Sequence, residues 1–366
     1  MKHLRILADD LTGALDCAAA FGAGVPVHLG QPAGVDPEGI DIVATATRDV
    51  PPADLPALLA PSLSWLRGAE LAFKKVDSLL RGNTFDEIDW LARQGGFAGL
   101  ALVPAFPAQG RVTEDAQQWW CKAGGERVPV ASPLRQALQA LGWRVDSGAT
   151  PPPPDGTPVA WVPDVRSDDE MDAIAAWATQ CRPGWLWCGS AGLAHALART
   201  RSVPVPTPSA QPQPSAGQVM LISASHHAVS REQWQLLRDS PWGSACHRGD
   251  DPRSLEVDQG GYPRLIDLSA PQRLEPAEAA GLLERQTQAI ARHAPRPRTL
   301  VVVGGDTLLA LCRALGATGL QSWVPLERAG WGCARLVGGR WDGLVCHTRS
   351  GAFGGPRDLV EVLDSV

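Results

Sequence analysis

The stretch ILADDLTGALDCAA, residues 6–19, sets two adjacent carboxylates, Asp9 and Asp10, behind the apolar run Leu4, Ile6, Leu7 and ahead of a helix-like segment. Like charges side by side at a strand end repel and resist burial, so the fold gains nothing from them. Carboxylates so placed can bind hydroxyl groups, and one can accept the proton of an attacking hydroxyl. A second cluster lies in LAFKKVDSLLRGN, 71–83, which gathers Lys74, Lys75, Asp77, Ser78, Arg81 and Gly82 at the end of another apolar run. On a strand Lys75 and Asp77 share a face, so they can pair or together grip a hydroxylated acid. Arg81 suits a carboxylate, because its planar fork reaches both oxygens. Alone, such a cluster is usually a solvated salt-bridge surface. Expected on the same sheet edge as Asp9 and Asp10, it reads as a site.

A different chemistry is signalled late in the chain. In VVVGGDTLLALC, 301–312, three valines end at Gly304 and Gly305, and Asp306 or Thr307 then caps a helix. Free backbone N–H groups at such a turn, backed by the helix dipole, suit a phosphate. The spacing is neither a Walker A loop nor G-x-G-x-x-G. CHTRSGAFGG, 346–355, repeats the arrangement with Ser350, Gly351 and Gly354 beside Arg349, and LISASHHAVS adds the hydroxyls of Ser223 and Ser225. Loops of this kind on neighbouring strands can clasp a nucleotide. His226 and His227 are adjacent on a turn and so ill placed to converge on one ion. ALVPAFPAQGRVT, 101–113, reads as a further strand end with Arg111 projecting from its loop. GSAGLA, from Gly189, enters a helix but lacks the G-x-S-x-G spacing of a hydrolase nucleophile.

The composition narrows the partners. A net charge of −6 gives no basic footprint for nucleic acid or an anionic membrane. Only Lys2, Lys74, Lys75 and Lys122 are lysines, which makes the adjacent pair conspicuous. The eight cysteines form no C-x-x-C and no zinc spacing, so reduced thiols in a cytoplasm are expected, with no dedicated metal cage. The first residues are too short an apolar stretch for a signal peptide, and no segment approaches a membrane span.

These residues need elements to hold them. Short Val/Ile/Leu runs alternate with helix-period segments, the pattern of a parallel sheet covered on both faces. Strands are expected at 4–8, 41–46, 70–76, 99–103, 159–162 and 185–188, with helices at 84–94 and 168–180. The alternation restarts after Gly217 with strands at QVMLISAS, TLVVV and GLVCHT, and with helices at SREQWQLLRD, 275–293, beyond Gly304, and from about 357. Of two Pro-rich stretches, 150–158 reads as a surface loop and 202–217 as an extended linker. The expected fold is α/β: two α/β domains, 1–205 and 206–366, each with a largely parallel sheet flanked by helices and with the active site in the cleft between them.

In order and over nearly the whole length, ADDLTGALD, KKVDSLLRGN, PAFPAQGRVT, GSAGLA, VVVGGDT and RSGAFGG resemble the four-carbon acid sugar kinase family, which phosphorylates threonate, erythronate or 3-oxo-tetronate with ATP. The resemblance implies an N-terminal acid-sugar-binding domain and a C-terminal ATP-binding domain. Its substrate side would be Asp9, Asp10, Thr12, Asp77, Ser78, Arg81 and a neighbouring lysine, taken as Lys75, with Gly82 in the same turn. Its nucleotide side would be Ser225, the turn Gly304, Gly305, Asp306, Thr307, and Gly351. Three departures stand out: Ser223-Ala224-Ser225-His226-His227 where the family usually reads S-G-S-C-S, Arg349 where lysine is frequent, and Leu79 where threonine is usual.

Phosphoryl transfer asks a protein to position groups, neutralise phosphate charge and steer the attacking hydroxyl. Asp10 or Asp77 is then the expected base, with Asp9 orienting the sugar and Mg²⁺ accompanying ATP. The expected partners are a small sugar acid and ATP, with neither nucleic acid nor membrane; a homodimer is allowed. Two other readings stay open: a ribokinase-like kinase with Asp306 as base, and a sugar-acid-binding protein without turnover. An aspartyl phosphatase fits poorly, since Asp10-Leu11-Thr12 breaks the D-x-D-x-[TV] spacing.

Overall fold

The computed structural model describes residues 3–32, 39–122, 124–153, 156–180, 184–200, 218–249, 262–323 and 330–365. The chain divides into two compact units, Met1–Phe21 with Val25–Val205, and Gly22–Gly24 with Pro206–Val366. The Pro-rich stretch 202–217 lies outside the described residues, as do residues 154 and 155 of the other one.

The first unit runs β1 (His3–Ala8), α1 (Leu11–Ala20), β2 (Pro26–Leu29), β3 (Gly39–Ala44), α2 (Leu55–Arg67), β4 (Leu71–Lys75), α3 (Thr84–Gln94) and β5 (Gly99–Val103). It continues with β6 (Arg111–Glu114), β7 (Gln117–Cys121), β8 (Arg127–Pro129), α4 (Leu134–Ala140), β9 (Arg144–Asp146), β10 (Val159–Trp161), α5 (Asp168–Gln180), β11 (Trp185–Gly189) and α6 (Ala191–Thr200). Its strands follow the spatial order β2-β3-β1-β4-β11-β5-β10-β9, every neighbouring pair parallel. Strands β4, β5 and β11 are buried along their whole length, as apolar runs must be when helices cover both faces. Leu7, Leu100, Leu102 and Leu186 form the centre of that core.

The order reverses at β1, which has β3 on one side and β4 on the other. At such a switch point the loops leaving the carboxyl ends part to opposite faces and leave a crevice. In register, Ala8 pairs with both Ala44 and Lys75, so the loops after β1, β3 and β4 leave the sheet at one level. The segment after Pro104 is not a plain loop. It forms an antiparallel sheet β6-β7-β8, and Arg111 is a strand residue, 9% exposed, with its guanidinium over the Trp120 ring rather than projecting from a loop.

The second unit runs β12 (Val219–Ser223), α7 (Ala228–Arg238), β13 (Cys246–Arg248), β14 (Arg264–Asp267), α8 (Pro276–His293), β15 (Thr299–Val303), α9 (Gly305–Leu315), β16 (Gly319–Ser322), β17 (Gly332–Val337), β18 (Val345–Arg349) and α10 (Asp358–Leu363). Its strand order is β13-β14-β12-β15-β18-β17-β16, parallel up to β18 and antiparallel beyond it. The core packs Leu221, Val301 and Val303 against Trp234 of α7 and Leu359 of α10. Here the switch lies between β12 and β15, where Ser223 pairs with Val303, and Val303 in turn with Arg349. No described helix is long and apolar enough to cross a membrane.

Candidate functional site

In the first unit the carboxyl edge is organised by a residue that the sequence reading passed over. Arg48, in the loop after β3, donates through Nε to Asp9 Oδ2 at 2.7 Å and through Nη2 to Asp9 Oδ1 at 3.1 Å and Asp10 Oδ1 at 2.7 Å. One guanidinium thus removes the repulsion between the paired carboxylates. Asp9 is 4% exposed; burial alone would raise its pKa, but Lys74, Arg48 and Lys75 outweigh that and hold it at about 2. Asp10 has a second task as N-cap of α1, accepting from Gly13 N at 3.1 Å. Thr12 sits in the first turn of the same helix.

Lys75 does not pair with Asp77. Strand β4 ends at Lys75, so the alternation that would put the two on one face stops there. Its ammonium instead approaches the first turn of α1, where a Cβ on Gly13 would stand 2.5 Å from Lys75 Nζ and 2.5 Å from Asp10 Oδ1. Burial opposes the lysine's charge, yet Asp10 and Asp9 raise its pKa overall, so it stays protonated. Asp77 takes Arg81 as its partner: Nε to Oδ2 at 2.6 Å, Nη2 to Oδ1 at 2.9 Å and the Arg81 amide to Oδ2 at 3.2 Å. Burial works against the Asp77 carboxylate, but the Arg81 hydrogen bonds and charge lower its pKa. The Arg81 side chain remains 60% exposed, able to meet a ligand.

The turn 77–83 is pinned to the loop after β3. Asn83 Nδ2 donates to the carbonyls of Thr47 at 2.9 Å and Val50 at 2.8 Å, and Gly82, at φ +73°, lies so close to the Arg48 backbone that no Cβ fits. Ser78 contributes its carbonyl to Gln118 Nε2 at 3.0 Å. Beneath this edge Lys74 and Glu87, each 1% exposed, form an ion pair of 2.6 Å. Glycine, asparagine and a second buried carboxylate were all present in the sequence, but only the fold brings 48 and 83 to residue 9. The Arg48 signal, a lone arginine after an apolar run, matches the rule that sites gather at strand carboxyl ends.

In the second unit three loops meet. A Cβ on Gly351 would overlap Ser225 Oγ and stand 3.1 Å from Ser230 Oγ, so the loops after β12 and β18 touch through a glycine. The Ala224 amide donates to Thr307 Oγ1 at 3.3 Å, which joins the loop after β15. Gly304 takes φ +107°, open to glycine and costly for other residues, and the N–H groups of Gly305, Asp306 and Thr307 form the first turn of α9. Ser223 Oγ accepts from the Ser225 amide and Ser225 Oγ from the His227 amide, each at 3.3 Å, which sets the shape of that turn. His227 Nδ1 caps α7 by accepting from Val229 N. His226 lines a cavity of about 660 Å³ with Arg231, Pro271 and Arg273.

Arg349 is not an exposed charge beside the last loop. It is 2% exposed, ion-paired with Asp358 at 3.0 Å and stacked 5.0 Å from the Trp331 ring centroid. Ser350 and Gly351 follow it, and Gly354, at φ +88°, leaves room for Asp358 Oδ2, 2.5 Å from where a Cβ would be.

The family model described as a sugar-binding N-terminal domain matches residues 4–140. A D-threonate kinase of Cupriavidus necator is 29% identical over 361 residues, covering 86% of each chain. Another, from Bordetella bronchiseptica, is 28% identical over 100% of this chain and 97% of its own. The matched domain and these relatives support a likeness to the four-carbon acid sugar kinase family. Other relatives are named D-erythronate kinase, at 24% identity, and 3-oxo-tetronate kinase, at 26%. The fold recurs in a crystal structure from Salmonella typhimurium LT2, with a TM-score of 0.73 and 18% identity over 99% of both chains. Members of the family are thus similar to this chain through both units, and the carboxylate edge described above falls within the matched N-terminal domain.

Proposed function

We propose that this protein is an ATP-dependent kinase that phosphorylates a hydroxyl of a four-carbon sugar acid, threonate or erythronate before 3-oxo-tetronate. The first unit binds the acid and the second the nucleotide. The observation that carries the reading is the set of opposite charges at the first switch point. Asp9 and Asp10 are locked by Arg48 beside Lys75, with Arg81 exposed next to them. A small polyhydroxylated anion needs this mixture, acceptors for its hydroxyls and cations for its carboxylate.

Among Asp9, Asp10 and Asp77, the only carboxylate oxygen without a hydrogen bond among the described residues is Asp10 Oδ2. That oxygen accepts the proton of the attacking hydroxyl, while Asp9 orients the sugar and Asp77 holds Arg81 for the acid's carboxylate. Thr12, Ser78 and Gly82 complete this wall. Ser223, Ser225, Gly304, Gly305, Asp306, Thr307, Ser350, Gly351 and Gly354 shape the phosphate side, where backbone N–H groups and the dipole of α9 meet negative charge. The basic cavity beside His226 has the dimensions of a ligand pocket.

Mg²⁺ bound with ATP supplies neutralisation of phosphate charge. Asp306, in the first turn of α9, is the carboxylate that would hold such an ion beside the phosphates. The described cysteines are all free, in keeping with a cytoplasmic enzyme. The test is ADP release measured over a panel of four-carbon sugar acids with ATP and Mg²⁺. Turnover with threonate or erythronate is expected; ADP release that no member of the panel stimulates would refute the kinase.

A further inference from the structure

We infer that Ser230 and Gln233, on the buried face of α7, are positioning residues that aim the backbone amides of the loop 350–355 at the nucleotide's phosphates, an inference that rests on the nucleotide reading above. Both side chains are buried, at 1% and 0% exposed. Buried hydroxyls and amides must find partners, and here the partners belong to one loop. Ser230 Oγ donates to the Gly351 carbonyl at 2.7 Å, and Gln233 Nε2 donates to the carbonyls of Gly355 at 2.8 Å and Phe353 at 3.3 Å. Gln233 Oε1 accepts from Arg349 Nη2, and Arg349 Nη1 donates in turn to the carbonyls of Ser350 and Phe353.

The consequence follows from the planarity of the peptide group. In a trans peptide the C=O of one residue and the N–H of the next point in opposite directions. Drawing the carbonyls of Ser350, Gly351 and Phe353 inward therefore turns the N–H groups of Gly351 and Gly354 outward, while the Ala352 amide donates to Ser350 Oγ at 3.5 Å. Outward N–H groups close together in sequence make a concavity for an anion. The fourth tethered carbonyl, of Gly355, precedes Pro356, which has no N–H to offer. The loop faces the same edge as the first turn of α9, since the Gly304 amide donates to the Arg349 carbonyl at 2.9 Å. Ser230 and Gln233 thus act on the nucleotide through the loop and need not touch it.

The experiment compares wild type with Ser230→Ala, Ser230→Thr and Gln233→Leu by amide hydrogen exchange of the nucleotide-free loop, ATP binding by calorimetry, and steady-state kinetics. Ser230→Ala and Gln233→Leu are expected to speed exchange in 350–355 and to raise KM for ATP about tenfold, leaving KM for the sugar acid unchanged. Ser230→Thr, which keeps the hydroxyl, restores both. Ser230→Ala removes a single oxygen and carries the test should Gln233→Leu fail to fold. Unchanged loop exchange, or faster exchange with an unchanged KM for ATP, overturns the inference while the nucleotide reading stands. A wild-type protein that binds no ATP overturns the nucleotide reading and this inference with it.

Discussion

Arg48 grips Asp9 with two parallel hydrogen bonds, Nε to Oδ2 at 2.7 Å and Nη2 to Oδ1 at 3.1 Å, although 39 residues separate them in the chain. The same Nη2 also reaches Asp10. A buried carboxylate stripped of such a partner is strongly destabilising, on the order of 3–5 kcal/mol. Arg48→Ala is expected to lower the stability of the first unit by about this much, and Arg48→Lys to recover only part, since an ammonium cannot fork. The pH dependence gives a second readout. Because Asp9 is depressed to about 2, its contribution is complete above the usual carboxylate pKa near 4 and is lost as pH falls from there towards 2. In Arg48→Ala the native pKa of Asp9 moves back up towards the unfolded value, so this acid-dependent loss shrinks. Denaturant unfolding from pH 7 to 3 measures both; equal acid profiles for the two proteins would count against the clamp.

Asp10 carries two roles that one substitution can separate. Asparagine still caps α1 through its side-chain oxygen, so Asp10→Asn is expected to fold with little loss. It cannot serve as a base, and turnover is expected to fall by roughly 10²–10⁴-fold with ATP binding unchanged. Near-normal kcat in this variant would transfer the role elsewhere.

Gly13 is the gap through which Lys75 reaches the carboxylates. Alanine in a helix is ordinarily worth about 1 kcal/mol over glycine. Here the added methyl meets Lys75 Nζ and Asp10 Oδ1, each at 2.5 Å, so those flexible ends must move. The expected outcome of Gly13→Ala is a folded protein with a KM for the sugar acid raised about tenfold, read from the same kinetic assay. An unchanged KM would mean that Lys75 takes no part in binding the acid.

His347 on β18 makes the second unit sensitive to acid. It is 6% exposed, its Nδ1 has no hydrogen-bond partner, and burial lowers its pKa to about 4. A depressed histidine favours folding above its unfolded pKa near 6.5, and that stability is lost as pH falls through 6.5 towards 4. Between pH 7 and pH 5 the loss amounts to about 2 kcal/mol. His347→Leu removes the titration, so its stability should change less over this interval, whatever its absolute value. Parallel pH profiles would exclude His347 as the cause.

The sequence by itself determined the local chemistry and the elements that carry it. Continuous apolar runs marked strands such as β1, β4, β5 and β15, because a strand covered on both faces can hold little else, and α3 and α5 fall on the residues their periodicity predicted. The paired aspartates and the glycine turns were legible for the same reason: each is a local oddity that a fold does not need for its own stability. Only the tertiary structure decided which charges meet. The shared face of Lys75 and Asp77, which alternation would have let pair or grip an acid together, gave way to Lys75 turned towards the first turn of α1 and to Asp77 with Arg81, since β4 ends two residues before Asp77. Arg349 turned inward to Asp358, while Arg48, Ser230 and Gln233, ordinary in sequence, became clamps. Side-chain alternation is a property of a few consecutive residues, whereas the reach of a guanidinium or an amide depends on which loops a parallel sheet brings to one edge.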